Sequence, residues 1–440
     1  MLQNIPSEYR SSAIRLLQFL VYTKRPLTLV EAIEVVATEI DREPRGFDVD
    51  GRLSLKTDIL RYCPNLVIIA KVTSFAETVE ELHLAHFSVK EYLLEQAQFN
   101  LENASIAISK TCLTYLTDIR GNHNTIRRDF PMARYAAESW MEYAASAETS
   151  EDIVRITVNF LRDETAFQRW CRLYQADRRW DTEPGPPKAS RLYYVCLGGL
   201  VEAAKNMITE GADVNAQGGW FGNALQAASS NGNRDVIQLL LDKRADINAQ
   251  GGKLGNALQA ASYEGHQEIT QLLLDRGAKV NAQGGEYGNA LQAASFRGNR
   301  EVVQLLLDKG AKVNAQGGWF SNALQAASYE GHQVEVVQLL LDRGADVNVQ
   351  GGEYGNALQA ASFRSNRDVI QLLLDNGADV NAQGGWFGNA LHAASFRGNR
   401  DVIQLLLDRG AKANAQGGYY YNAPLHAPSA RSISLLHRVL

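Results

Sequence analysis

The side chains that could do chemistry are few in this 440-residue chain, and their spacing is wrong for it. Cys63, Cys112, Cys171 and Cys196 stand far apart with no Cys-x-x-Cys pair, so no zinc set or dithiol centre can be drawn from them. Buried free thiols in a reducing compartment are expected. His83 and His86 are three residues apart in a predicted strand, so they face opposite ways and cannot share a metal. No Gly-x-Ser-x-Gly, His-Glu-x-x-His or dinucleotide-type glycine pattern occurs. The recurring Gln-Gly-Gly triplets mimic a phosphate-cradling loop. Each, however, precedes a hairpin tip instead of following a strand and opening a helix, which makes them turn glycines. The expectation is a chain with no catalytic centre, no metal and no cofactor. Asn103-Ala104-Ser105 is a glycosylation sequon by letter only, because the N-terminus lacks a basic-then-apolar signal pattern.

The elements behind these residues are set by a repeat. Asn223-Ala224-Leu225-Gln226-Ala227-Ala228-Ser229 returns almost unchanged at Asn256, Asn289, Asn322, Asn356 and Asn389, at a step of 33 with one step of 34 near Val334. A fixed period of that length signals a solenoid whose units share one core. Within a unit, Asn223 suits a helix N-cap, and Leu225, Ala227 and Ala228 follow on a short helix. Gly232 ends that helix in a left-handed conformation. A second helix carries Val236, Leu239 and Leu240 on one apolar face, and Ala-Asp-Ile-Asn-Ala-Gln-Gly-Gly supplies a hairpin. Arg244 replaces a C-cap glycine, at a cost of about 1 kcal/mol if the left-handed conformation is kept.

This unit resembles the ankyrin repeat in period and in its order of helix, helix and hairpin. Gly277-Ala278-Lys279-Val280-Asn281-Ala282 and its copies, Gly265-His266 and the Gln-Leu-Leu-Leu-Asp runs carry the resemblance. The family's Thr-Pro-Leu-His stands here as Asn-Ala-Leu-Gln, with Asn capping as Thr does and Gln keeping a donor and an acceptor. His392 alone keeps the family histidine in a full unit, and Ala423-Pro424-Leu425-His426 comes closer to the family form. His266 and His332 fall at the Gly-His position, where the resemblance implies a bond within the repeat. Residues 187–219 form a degenerate first repeat, six regular repeats fill 220–418, and a partial repeat spans 419–440. Pro428 should shorten the helix of that last repeat. No polar capping helix follows, so a frayed or truncated end is expected there.

Near-identical units isolate the positions that vary. The residues after each Gly-Gly are Trp220-Phe221, Lys253-Leu254, Glu286-Tyr287, Trp319-Phe320, Glu353-Tyr354 and Trp386-Phe387. After each Ala-Ala-Ser come Ser230-Asn231, Tyr263-Glu264, Phe296-Arg297, Tyr329-Glu330, Phe363-Arg364 and Phe396-Arg397. The resemblance implies that both sets line a concave groove. The second hairpin residue is always apolar and can pack between units. The first hairpin residue and the pair after Ser are expected to be exposed. The candidate partner-binding residues are therefore Trp220, Tyr263, Glu264, Glu286, Phe296, Arg297, Trp319, Tyr329, Glu330, Glu353, Phe363, Arg364, Trp386, Phe396 and Arg397. Trp, Tyr, Phe and Arg are the residues that anchor interfaces.

Residues 1–100 read as three helices, a β-hairpin and a further helix: Ser7–Val21, a helix opened by the capping box Thr28–Glu31, Asp50–Tyr62, strands at Leu66–Ile69 and Leu82–Phe87 around a polar turn, then a helix from the capping box Ser88–Glu91. That is a winged-helix-like order. It resembles the domain after the nucleotide-binding NACHT module of fungal NLR-like proteins, in Arg25-Pro26-Leu27-Thr28-Leu29-Val30-Glu31, in Tyr62-Cys63-Pro64-Asn65-Leu66-Val67 and in the run from Leu84 to Leu93. Pro131 to Trp140, in a helical connecting region over 101–186, resembles the same family. The family's P-loop does not occur in this sequence, so its nucleotide switch is not carried over, and the chain is expected neither to bind nor to hydrolyse ATP or GTP. A Pro/Gly linker at 181–188 marks the boundary before the solenoid at 187–440.

Charge narrows the partner. Residues 220–418 hold 17 Lys+Arg against 19 Asp+Glu, and residues 1–100 hold 11 against 14, the wrong balance for nucleic acid. No apolar run nears the ~18 residues of a membrane span. The expected fold is mostly α, a winged-helix-like and helical region followed by an ankyrin-repeat α-solenoid with β-hairpin tips. The expected function is non-enzymatic binding of a protein or peptide on the concave repeat face. The alternative is the regulatory half of an NLR-like receptor working with an NTPase module. The expected location is the cytoplasm, with the nucleus left open; partner identity and oligomeric state are not legible.

Overall fold

The computed structural model describes residues 2–74, 77–331, 334–413 and 418. The expectations for His332, for Pro428 and for the partial repeat at 419–440 lie outside the described residues. The chain packs as two compact units, Met1–Asp213 and Val214–Leu440.

In the first unit, α1 (Arg10–Tyr22), β1 (Leu27–Thr28) and α2 (Leu29–Ala37) are followed by β2 (Thr38–Glu39), β3 (Gly46–Phe47), β4 (Val67–Ser74), β5 (Glu77–Leu84) and α3 (Phe87–Leu94). β4 and β5 form an antiparallel hairpin with Val67 opposite Leu84 and Ser74 opposite Glu77. β1 adds to β5, giving the sheet order β1-β5-β4. The capping box at Thr28 forms in full, with Glu31 N–H donating to Thr28 Oγ1 and Thr28 N–H donating to the Glu31 carboxylate at 2.8 Å.

The second strand of the hairpin runs Glu77–Leu84 instead of the expected Leu82–Phe87, and two further sequence expectations fail here for local reasons. The helix expected over Asp50–Tyr62 is only a six-residue 3-10 segment, Lys56–Arg61. Asp48 makes an Asx turn to the Asp50 N–H, and Arg52 is drawn to the buried Glu34 carboxylate at 2.6 and 2.9 Å. The box at Ser88 does not form: α3 starts two residues earlier, at Phe87, and His86 Nδ1 accepts the Ser88 N–H at 3.1 Å.

The rest of the first unit is helical: α4 (Leu101–Asp118), α5 (His123–Asp129), α6 (Ala133–Ser146), α7 (Glu151–Arg162), α8 (Glu164–Leu173), α9 (Arg191–Leu197) and α10 (Val201–Thr209). Its core is aromatic. Trp140 and Trp170 meet edge-to-face at 5.3 Å, and the Trp170 indole donates to the Ala137 carbonyl. Tyr193 and Tyr194, which make the α9–α10 repeat degenerate, are spent here. Tyr194 packs on Trp170 at 5.3 Å, and Tyr193 donates to Asp177 at 2.8 Å. All four cysteines are buried and none is in a disulfide; burial pushes the Cys63 thiol up to about 12, and burial, partly offset by a hydrogen bond with Tyr194, pushes the Cys171 thiol up to about 12.

The second unit alternates short first helices with longer second helices. They are α11 (Ala224–Ser230), α12 (Arg234–Asp242), α13 (Ala257–Glu264), α14 (Gln267–Asp275), α15 (Ala290–Arg297) and α16 (Arg300–Asp308). Next come α17 (Ala323–Glu330), α18 (Val334–Asp342), α19 (Ala357–Arg364), α20 (Arg367–Asp375), α21 (Ala390–Arg397) and α22 (Arg400–Asp408). Each first helix is capped by its Asn, from Asn223 to Asn389. Ala227, Ala228 and their copies are fully buried, so first helices approach closely. On α12, Val236, Ile237 and Leu240 are buried while Leu239 is only half-buried. Ile237 therefore takes the core place expected for Leu239. Arg244 keeps φ 65, and Ser321 and Ser365 also occupy left-handed positions that are glycine in other repeats, each at a cost of about 1 kcal/mol.

Candidate partner-binding surface

The repeats are tied edge to edge by side chains that recur every 33 or 34 residues. Gln259 Nε2 donates to the Gly284 and Gly288 carbonyls of the next hairpin at 2.9 and 3.0 Å, and Gln226, Gln292, Gln325 and Gln359 likewise donate to the next hairpin, at the Gly255, Gly317, Val349 and Gly388 carbonyls. This is the work of the residue that replaces the family histidine. Asn281 accepts the Lys312 N–H and donates to the Gly310 carbonyl, one step in a ladder from Asn215 to Asn381. His266 bonds the Ser230 carbonyl of the preceding repeat at 2.9 Å, not a group in its own repeat as expected. Asn299 and Asn366 reach back in the same way.

This scaffold presents the hairpin tips as a continuous ladder. Lys253 N–H donates to the Trp220 carbonyl, Glu286 to Lys253, Trp319 to Glu286, Glu353 to Trp319 and Trp386 to Glu353, at 2.9–3.1 Å. The Gly-Gly pairs permit this approach: a Cβ on Gly285 would stand 2.4 Å from the Leu254 carbonyl carbon. The second tip residues turn inward, with Leu254, Tyr287, Phe320 and Phe387 no more than 7% exposed. The first tip residues stay outside. Trp319 is 45% and Trp386 is 36% exposed, while Trp220, Glu286 and Glu353 are intermediate.

The first-helix ends behave differently from the expectation of exposure. Tyr263, Phe296, Tyr329, Phe363 and Phe396 are half-buried. They stack on one another at 6.1–6.3 Å with interplanar angles of 12–28°. Tyr287, Phe320, Tyr354 and Phe387 interleave with them at 4.7–5.5 Å. Burial pushes the Tyr287 and Tyr354 hydroxyls up, helped by bonds to the neighbouring tyrosines. The residue after each ring remains at the surface: Glu264, Arg297, Arg364 and Arg397 are exposed and Glu330 is intermediate. These charges pair along the array. Arg297 lies 5.0 Å over the Tyr263 ring and 4.0 Å from Glu264, and Arg364 lies 4.9 Å over Tyr329 and 3.8 Å from Glu330. Arg397 covers Phe363 at 4.6 Å. The sequence reading missed the stack and the cation–ring pairs, because residues 33 apart touch only through the translation from one repeat to the next. The only written signal was the unbroken aromatic character of those positions.

Among the described residues, no group of three His, Cys, Asp or Glu side chains could hold a metal ion, and no helix is long and apolar enough to cross a membrane.

Comparison with known proteins agrees with this architecture. The family model described as "Ankyrin repeats (3 copies)" matches residues 192–284, 251–317, 280–351 and 323–417, more than half of the chain. The model "GPI inositol-deacylase, winged helix domain" matches residues 2–109. A relative from Monascus ruber, "Azaphilone pigments biosynthesis cluster protein L", is 36% identical over 269 residues, covering 54% of this chain and 57% of that protein. The match thus spans little more than half the length of that relative. The crystal structure of the human ASB11 ankyrin repeat domain is 27% identical, covers 51% of this chain and 99% of its own, and aligns with a TM-score of 0.44.

Proposed function

The chain belongs to the ankyrin-repeat family, and from that premise we propose that its second unit is a non-enzymatic recognition module that grips a protein or peptide along the hairpin tips and first-helix ends. The observation that carries this reading is the tip ladder. Five consecutive backbone bonds hold Trp220, Lys253, Glu286, Trp319, Glu353 and Trp386 in one row, and Trp319 and Trp386 keep large apolar surface in water on that rigid support. Exposed indoles on a fixed backbone lose little entropy on binding and supply much area, the profile of an interface anchor. The surrounding Glu264, Arg297, Arg364 and Arg397 supply a polar rim. On this reading Tyr263, Phe296, Tyr329, Phe363 and Phe396 contribute ring edges to the surface and hold its shape. The cytoplasm is the proposed location.

Quantitative affinity capture with the full chain and with a Trp319→Ala/Trp386→Ala variant tests the reading. A set of proteins held by the parent should be at least tenfold depleted from the variant, while the two chains melt within a few degrees of each other. Identical captured sets would remove the tips from any recognition role.

A second reading is favoured by the winged-helix match over 2–109. In it the chain serves as the regulatory and sensing part of a receptor switched by a nucleotide-binding module, the arrangement that the resemblance to fungal NLR-like proteins implies. A P-loop encoded in frame upstream of Met1 would favour this reading.

A further inference from the structure

The tip row holds one cation of its own, and its surroundings form a template. Lys253 Nζ lies 4.7 Å from the centroid of the Trp220 ring and 5.9 Å from that of Trp319, and it makes an ion-pair contact of 3.2 Å with Glu286. Two indole faces and one carboxylate around an ammonium is a favourable cation site, since the ring quadrupoles and the formal charge attract it together. The row then continues Trp319, Glu353, Trp386. Here again two tryptophans flank a glutamate, but no lysine tip stands between them. Among the described residues, no cation or hydrogen-bond donor reaches the Glu353 carboxylate. Arg364, from the adjoining helix end, is engaged with the Tyr329 ring and Glu330. The tip-backbone bonds place Trp319 and Trp386 on either side of Glu353 in the row, so an ammonium set against the Glu353 carboxylate has an indole tip on each side of it.

We propose that Trp319, Glu353 and Trp386 form a cage for the ammonium of a lysine side chain on a protein partner, the same chemistry that Lys253 already supplies to Trp220, Glu286 and Trp319. This rests on the recognition reading above and gives it a ligand class. Burial without a counter-charge holds the Glu353 carboxyl above its ordinary range, so a bound ammonium also relieves an ionised group of its isolation. The carboxylate selects against neutral and acidic side chains, and the two indoles exclude water from the ion pair.

The test uses the full chain labelled with 5-fluorotryptophan, whose six tryptophans give six fluorine resonances assigned by single Trp→Phe changes. The probes are the end-blocked peptide Gly-Lys-Gly and its Nε-acetylated twin. The lysine peptide should move the Trp319 and Trp386 resonances saturably, with a Kd on the order of 1 mM, and the acetylated twin should not. Glu353→Gln should weaken the response at least threefold without lowering the melting temperature. Lys253→Ala should free the first cage, so that the Trp220 resonance joins the responders. Equal shifts from the acetylated peptide, indifference to Glu353→Gln, or no saturable shift would each overturn the cage. Loss of the cage with tip-dependent protein capture intact would leave the recognition reading standing, and loss of that capture would sink the reading itself.

Discussion

At the scale of single residues, one substitution reports on the logic of the whole repeat. Five repeats carry Gln at the place where the sixth carries His392. Gln donates to the next hairpin without any charge to lose. His392 is 4% exposed, and its burial holds the imidazole below its ordinary range, partly offset by a bond to the Phe387 carbonyl. The folded state therefore keeps this ring neutral at pH values where the unfolded chain protonates it. Stability from this group is full above pH ~6.5 and declines as pH falls from there toward the folded value. His392→Gln should leave thermal stability at pH 7.5 nearly unchanged and raise it at pH 5.5, read from melting curves at both pH values. A constant difference across the two would contradict the assigned cause. The capping Asn residues, the Asn–Ala–Leu–Gln segments and the turn glycines were all legible in the sequence, because each acts within its own four or five residues. His86 was not legible as a cap, since a Ser–Val–Lys–Glu box two residues later offers a better local pattern.

At the scale of elements, the first-helix ends and the hairpin tips separate into two roles. The ring of Phe363 stacks on Tyr329 and Phe396 and lies 4.9 Å from Phe387, so it is part of the seam between repeats. Trp319 is 45% exposed on a tip. Phe363→Ala should cost about 2–4 kcal/mol, close to other aromatic truncations in packed sites, whereas Trp319→Ala should cost under about 1 kcal/mol. Denaturant unfolding of the two single variants decides it, and equal losses would mean that the tip indole is core. Variation against a fixed background pointed to exposure at both sets of positions. At the helix ends it held for Glu264, Arg297, Arg364 and Arg397 and failed for the rings before them, because Tyr and Phe exchange there while the stack survives. Helices were read well where the apolar period is long. β1, β2 and β3, two residues each, are too short to leave any pattern, and the 3-10 segment Lys56–Arg61 stands where side-chain anchoring of Arg52 overrode a weak helical period.

At the scale of the whole molecule, the chain combines a winged-helix match at one end with a repeat array at the other. In the second unit the Gln, Asn and tip-backbone ladders each run from repeat to repeat, so the array is rigid along its length and its outward residues keep fixed spacing. The order of tips, Trp, Lys, Glu, Trp, Glu, Trp, was legible as letters, but the lysine seated between indoles became visible only with the tips aligned. Recognition through that row is the central claim, and site-specific photo-crosslinking tests it most directly. A benzophenone amino acid is placed in the full chain at Trp319, or at Asp368, an exposed residue of α20 away from the tips. Irradiation in cells should give discrete protein adducts from position 319 and none from position 368. Adducts from position 368 with none from position 319 would contradict the claim.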